Sequence, residues 1–191
     1  MLFRSLQALK VAAAGNVIDV VHDQKDYDLW DEVITTVNQP LSGSSVLSFR
    51  NRLKRSGPLL YLADNVGETV FDRVLIETLD APVIYAVKSA PILNDATTED
   101  AVKAGIDHIA TVVHTGSREP GTLLEQCSGA FRDIFENAKV VLAKGQANYE
   151  TLDDQGPKMF FLLRIKCAVL GREIGFPLGS LVLKQGGSAD N

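Results

Sequence analysis

Residues 59–68 read Leu-Leu-Tyr-Leu-Ala-Asp-Asn-Val-Gly-Glu. Five largely apolar residues run into a carboxylate and a carboxamide. A glycine follows, and a helical pattern begins at Thr69. An apolar run of that length with no polar alternation suits a strand covered on both faces. The pattern recurs along the chain. Residues 82–87 end at Lys88, 109–113 at His114 and 140–143 at Lys144, while 159–165 and 180–184 read as further strands. Helical periodicity lies between them: 69–79, with Val70, Val74, Leu75 and Leu79 facing inward; 97–104, opened by a Thr97-Thr98-Glu99-Asp100 capping box; 121–137; and 148–152. Apolar strands alternating with helices predict an α/β fold, a three-layer α/β/α sandwich around a mostly parallel, doubly wound sheet.

The first part of the chain is different. Residues 3–14 read as a helix ended by Gly15. A second helix covers 26–37, with Leu29, Trp30, Val33, Ile34 and Val37 on one face. Residues 38–45 form a turn-rich linker, and 46–54 a third short helix. A length of 191 residues suits one domain. It divides into a helical N-terminal layer (1–55), a sheet core (56–185) and a frayed tail (186–191).

Bulk properties narrow the function. The net charge is -5, and no long basic run offers a footprint for nucleic acid or an anionic membrane. No apolar stretch approaches the roughly 18 residues that cross a bilayer. No secretory leader is recognisable, so the cytoplasm is the expected location. The two cysteines, Cys127 and Cys167, form no CxxC, which argues against thiolate zinc and for reduced, buried thiols.

Ligands of open α/β sheets bind at the carboxyl ends of the strands. The residues expected there are Asp64 and Asn65, then Lys88 and the segment from Pro91 to Asp95. His114, Thr115, Gly116 and Ser117 follow, and finally Lys144, Gly145, Gln146 and Asn148. Carboxylate and carboxamide oxygens are hard ligands suited to Mg²⁺ or Mn²⁺. Lysines opposite them can neutralise a phosphate, and backbone N–H groups near Gly116 and Gly145 can cradle its oxygens. Each residue also has an ordinary explanation: an Asx turn for Asp64-Asn65, helix capping for Asp95, a first-turn acid for Glu68 and a structural ring for His114. Their expected meeting at one edge favours the functional reading.

Four ordered motifs carry a family resemblance: Asp64-Asn-Val-Gly-Glu68, Lys88-x-x-Pro-x-x-Asn-Asp95, Gly116-x-x-x-Pro-Gly-Thr122 and Lys144-Gly-Gln-x-Asn-Tyr-Glu150. With Gly15-Asn-Val-Ile-Asp19 upstream and the Phe161-to-Cys167 run downstream, the chain resembles the DUF89 family over essentially its whole length. These are the metal-dependent, damage-control phosphatases, also called ARMT1-like. The resemblance implies an α/β/α sandwich that hydrolyses phosphate monoesters of small metabolites with Mn²⁺, Mg²⁺, Co²⁺ or Ni²⁺. By motif it implies Asp64, Asn65 and Asp95 as metal ligands, Lys144 as a phosphate binder, and Asn148 and Asn16 as pocket residues. Asp19 and Glu68 fall on motif positions with less defined roles. Lys88, Gly145 and Ser117 join the phosphate-binding set on the strand-end argument.

Members of this family usually carry more helical sequence ahead of the Gly-Asn-Val-Ile-Asp motif, often with a CxxC. Here 14 residues precede Gly15. Two mechanisms stay open at this level: water as the attacking group, or Asp64 as a covalent nucleophile. A non-catalytic metal- and phosphometabolite-binding protein is the alternative function, with a carboxyl methyltransferase behind it. Substrate identity and oligomeric state are not legible in the sequence.

Overall fold

Among the described residues, seven strands pair into one sheet: β1 (Leu41–Ser42), β2 (Leu59–Leu62), β3 (Val83–Val87), β4 (Thr111–His114), β5 (Val141–Lys144), β6 (Met159–Arg164) and β7 (Leu181–Gln185). The structure, a computed structural model, describes residues 2–16, 29–43 and 45–187. The expected motif residue Asp19, the expected helix start at 26–28 and the tail beyond 187 lie outside them. The spatial order is β1-β7-β6-β5-β2-β3-β4. Every neighbouring pair is parallel except β6 with β7.

Successive side chains of a strand point to opposite faces. That alternation divides the continuous apolar runs into two cores. Leu59, Tyr61, Val83, Tyr85, Leu142 and Phe160 face one side with Ala8, Leu9 and Ala12 of α1 (Leu2–Ala14). Phe49 of α3 (Val46–Arg55), Leu75 of α4 (Thr69–Ile76) and Ala101 of α5 (Thr98–Lys103) complete that layer. Leu60, Leu62, Val141, Ala143, Phe161 and Leu163 face the other side. There they meet Phe131 and Phe135 of α6 (Gly129–Asn137), Leu152 of α7 (Gly145–Leu152), and Leu170 and Ile174 of α8 (Ala168–Ile174). The three-layer sandwich is therefore as expected.

From β2 the chain runs outward to β3 and β4, then returns to lay β5 and β6 on the other side of β2. The strand order thus reverses between β2 and β5. In open α/β sheets the crevice at such a reversal, at the carboxyl ends, is where ligands sit. Asp64 follows β2, and Gly145 follows β5.

Several expectations change. Within the 38–45 linker, Leu41 and Ser42 form an edge strand that exists only through its parallel pairing with Leu181 and Val182. Helix α8 went unread because it has seven residues and an internal glycine. In α2 (Leu29–Asn38) Val33 and Thr36 are buried, whereas Trp30 and Ile34 are exposed. In α4 Val70 and Val74 are exposed, and Asp72, Leu75 and Ile76 face in. The helix is turned so that Asp72 reaches a buried cation described below. The capping box holds: the Asp100 carboxylate accepts from the Thr97 backbone N–H at 2.9 Å. Cys127 is buried and Cys167 only half-buried, both as free thiols. Among the described residues no helix is long and apolar enough to cross a membrane.

Candidate active site

The end of β2 builds the site. Past Leu62 the chain pairs with the segment that follows β3. Ala96 N–H donates to Asp64 O and Val66 N–H to Asn94 O, both at 2.8 Å, which sets Asn65 opposite Asp95 as an isolated antiparallel bridge. The turn feeding this bridge contains Leu93 at φ 47, a left-handed conformation that costs a leucine about 1 kcal/mol or more. Asp95 N–H donates to Ile92 O at 3.0 Å and closes that turn. Local backbone strain is thus used to bring one motif's aspartate beside another's asparagine.

The Asp64 carboxylate is fixed from two directions. Its Oδ2 accepts from Asn16 Nδ2 at 3.3 Å and from Asn65 Nδ2 at 3.2 Å. The same two amides donate to Glu68 Oε1, at 2.6 Å from Asn16 and 3.0 Å from Asn65. The Asn65 amide nitrogen therefore faces two carboxylates, which assigns its orientation. Gly145 lies directly against Asp64. A Cβ there would fall 1.8 Å from Asp64 Oδ2, and φ is +78, so only glycine fits. The first turn of α7 thus meets the carboxylate with bare backbone.

Lys88 sits behind Asp95. Its Nζ is 3.5 Å from Asp95 Oδ2 and donates to Gly121 O. Burial pushes the Lys88 ammonium below the usual lysine range, with Asp95 and then Asp64 pulling it back up. Ser117 is near this lysine in the fold: Ser89 donates to Ser117 O from its backbone N–H at 3.2 Å and from its hydroxyl at 3.0 Å. The Ser117 hydroxyl oxygen accepts from Glu119 N–H at 3.0 Å. The loop around Gly121 packs on α7, since a Cβ at Gly121 would meet Ala147 O at 2.4 Å.

Lys144 and Asn148 depart from expectation. Lys144 is the last residue of β5 and, by the period of two, shares the face of Leu142, toward α1 and α4. It is 0% exposed. Its Nζ donates to Glu68 Oε2 at 2.5 Å, Asp72 Oδ1 at 2.7 Å and Ala12 O at 2.9 Å. An ammonium has three N–H groups, so none is left for a phosphate in this arrangement. Asn148 is buried too. It donates to Ala63 O at 3.1 Å and Lys144 O at 2.8 Å, and its Oδ1 accepts from Thr122 at 2.7 Å. It ties the ends of β2 and β5 to the 116–122 loop, and its amide is spent on protein partners.

Sequence reasoning missed Asp72, Tyr61 and Tyr85. Tyr61 donates to Asp72 Oδ1 at 2.6 Å and Tyr85 to Oδ2 at 2.7 Å. Burial pushes both phenols well up, and the Asp72 charge adds to it. Burial also pushes the Asp72 carboxyl up, while Lys144 pulls it down. Burial would depress Lys144, but Asp72 and Glu68 outweigh it and hold the ammonium charged. The signal was present: Glu68, Asp72 and Ile76 are spaced at i, i+4, one helix face. Glu68, a motif residue whose ordinary explanation was a first-turn acid, is 1% exposed and joins this buried set to Asn16 and Asn65.

The donor chemistry can be tested against a metal. Among the described residues no cluster of three or more His, Cys, Asp or Glu could hold one. Two carboxylates and a carboxamide form a different, all-oxygen set, suited to a hard divalent cation that keeps waters and takes a phosphate oxygen. Asp64, Asn65 and Asp95 fit it, because the Asn65 nitrogen is turned to Glu68 and Asp64, and its oxygen is the end a cation would take. A separate cleft of about 740 Å³, lined by Arg52, Arg55, Lys139 and Lys158, lies at the opposite edge of the sheet and contains none of the four motifs.

Comparison with known proteins places the chain. The family described as the damage-control phosphatase ARMT1-like domain matches residues 3–182. The chain belongs to this family. A damage-control phosphatase of Pyrococcus horikoshii is 40% identical to this ARMT1-like chain over 180 residues, covering 92% of the chain and 63% of that protein. An uncharacterized protein of Methanocaldococcus jannaschii is 40% identical over 179 residues, covering 89% of the chain and 59% of that protein. The crystal structure of a DUF89 family protein from Pyrococcus horikoshii matches with a TM-score of 0.86 and 38% identity, over 95% of this chain and 66% of that one. The ARMT1-like chain thus spans about six-tenths of the length of these two curated relatives, 63% and 59%.

Proposed function

We propose that this chain is a cytoplasmic, divalent-metal-dependent phosphatase that hydrolyses phosphate monoesters of small, damaged or side-product metabolites such as sugar phosphates. The observation that carries this reading is the meeting of Asp64, Asn65 and Asp95 at the strand-order reversal, held there by the pairing of residues 64–66 with 94–96. The damage-control phosphatase name of the Pyrococcus horikoshii relative supports the reaction class.

In this reading Asp64, Asn65 and Asp95 hold Mn²⁺, Mg²⁺, Co²⁺ or Ni²⁺. The ion supplies Lewis acidity toward the phosphoryl oxygens and offsets their charge. Lys88, beside Asp95, is the lysine that meets the phosphate, a part the motif comparison had given to Lys144. Backbone N–H groups at the start of α7 and in the Gly116 loop face the remaining oxygens. Asp64 Oδ2 takes two amide hydrogen bonds, which stabilise it as an anion and weaken it as a nucleophile. We therefore assign Asp64 to holding the ion and leave the attack on phosphorus to water.

The test is a screen of phosphate monoesters against the four metals, with an EDTA control and Asp64→Ala. Phosphate release that needs metal and vanishes in Asp64→Ala supports the reading. Release that EDTA does not change, or undiminished turnover by Asp64→Ala, overturns it. Metal and phosphate binding with no turnover of any ester would make the chain a binding protein.

A further inference from the structure

Beneath the candidate metal ligands runs a continuous buried chain of polar contacts that the reaction described above does not use. Tyr61 and Tyr85 donate to Asp72, which accepts from Lys144. Lys144 donates to Glu68 Oε2, and Glu68 Oε1 accepts from both Asn65 and Asn16. Two carboxylates and one ammonium lie together out of water, where an unpaired charge is costly and where hydrogen bonds impose a single arrangement. Each end has a distinct task. Asp72, gripped by two phenols on adjacent strands, anchors Lys144. Glu68 points its second oxygen up to the two amides that bracket Asp64.

We propose that Glu68 is a positioning residue for the metal site, and that Lys144 acts only through it. The inference rests on the reading of Asn65 as a metal ligand. A carboxamide can present either its oxygen or its NH₂ to a cation, and only the oxygen binds. Glu68 Oε1, 3.0 Å from Asn65 Nδ2, together with Asp64 Oδ2 at 3.2 Å, fixes which end of the amide is the NH₂ and leaves the oxygen as the end a cation would take. Through Asn16, at 2.6 Å, it also aligns the second amide that holds Asp64 Oδ2. Lys144 fixes the Glu68 carboxylate at 2.5 Å and has no N–H left for substrate. Hydrogen-bond partners one step behind metal ligands commonly govern affinity in this way.

The experiment measures Mn²⁺ affinity by electron paramagnetic resonance titration, and inorganic phosphate affinity by calorimetry at saturating Mn²⁺. The proteins are the wild type, Glu68→Gln, Lys144→Met and Lys88→Met, with circular dichroism on each. In Glu68→Gln the new amide sets an N–H group against either Lys144 or the two asparagine donors. Mn²⁺ affinity should fall about 10–100-fold, and the Asn65 side-chain amide resonances of the metal-free protein should move. Lys144→Met should weaken Mn²⁺ similarly, with phosphate affinity at saturating metal held within about threefold. Lys88→Met should lower phosphate affinity at saturating Mn²⁺.

Loss of phosphate affinity in Lys144→Met with unchanged Mn²⁺ affinity would overturn the inference. So would Glu68→Gln binding Mn²⁺ as the wild type does. Should Lys144→Met fail to fold, the nearly isosteric Glu68→Gln decides. A folded wild type that binds no divalent metal defeats the metal-dependent reading first, which separates the two failures.

Discussion

Replacing Gly145 by alanine is the sharpest local test of the site. The added methyl would stand 1.8 Å from Asp64 Oδ2 and 2.3 Å from its Cγ. A comfortable contact is about 3.5 Å, so the carboxylate must retreat by about 1.7 Å. That exceeds the tolerance of the hydrogen bonds from Asn16 and Asn65, already 3.3 and 3.2 Å long. The backbone adds its own penalty: at φ +78 an alanine costs about 1–2 kcal/mol. For a chain of this size that corresponds to a loss of about 2–8 °C in melting temperature. A misplacement on the scale of 1 Å costs about 100-fold in turnover.

Gly57→Ala supplies the control. Gly57 has φ +81 and nothing within 4 Å of the added Cβ, so it carries the backbone penalty without the collision. Melting curves and Mn²⁺-dependent phosphate release from a generic aryl phosphate should show a similar backbone penalty in both variants. Activity should collapse in Gly145→Ala alone. If Gly145→Ala keeps more than about half of wild-type turnover, Asp64 does not need its observed position, and the site as drawn is wrong.

Two further outcomes follow from buried groups. Among the described residues Thr36 Oγ1 in α2 is buried without a hydrogen-bond partner, so Thr36→Val should raise stability by about 1 kcal/mol, read as a higher urea midpoint. Tyr61 and Tyr85 ionise well above 10.0 in the folded chain, first through burial and then through Asp72, and Tyr149 is pushed up to about 12 by burial and Glu173. Above about pH 10 the unfolded chain sheds tyrosine protons that the folded chain keeps, so their stabilising contribution, complete below pH 10, declines as pH rises. The urea midpoint should therefore drop between about pH 10 and 12, while native tyrosinate absorbance lags behind that of unfolded chain.

The legibility of this protein divides along a physical line. Strands β2, β3, β5 and β6 were readable because a strand buried on both faces needs an apolar residue at nearly every position. Asp64 and Asn65 were readable because they interrupt such a run where it leaves the sheet. β1 was not, since two residues have no pattern of their own and owe their structure to β7. The α4 face was misread for a related reason. Periodicity scores apolar residues, and Val70 and Val74 outscored an aspartate, yet Asp72 is the residue that goes in.

By itself, then, the sequence determined the layers, the strand ends and which polar groups gather at one edge. These depend on hydrophobic pattern and turn chemistry, which are local. Only the tertiary structure decided which of the charged groups face the crevice. Lys144 turns inward because its partners, Glu68 and Asp72, lie 76 and 72 residues away and meet it through the pairing of β2 with β5. A buried charge is tolerated only where distant chain segments supply its counter-charge. No run of neighbouring residues contains that information, so the cation expected at the phosphate stands in the core, and Lys88 is left at the edge.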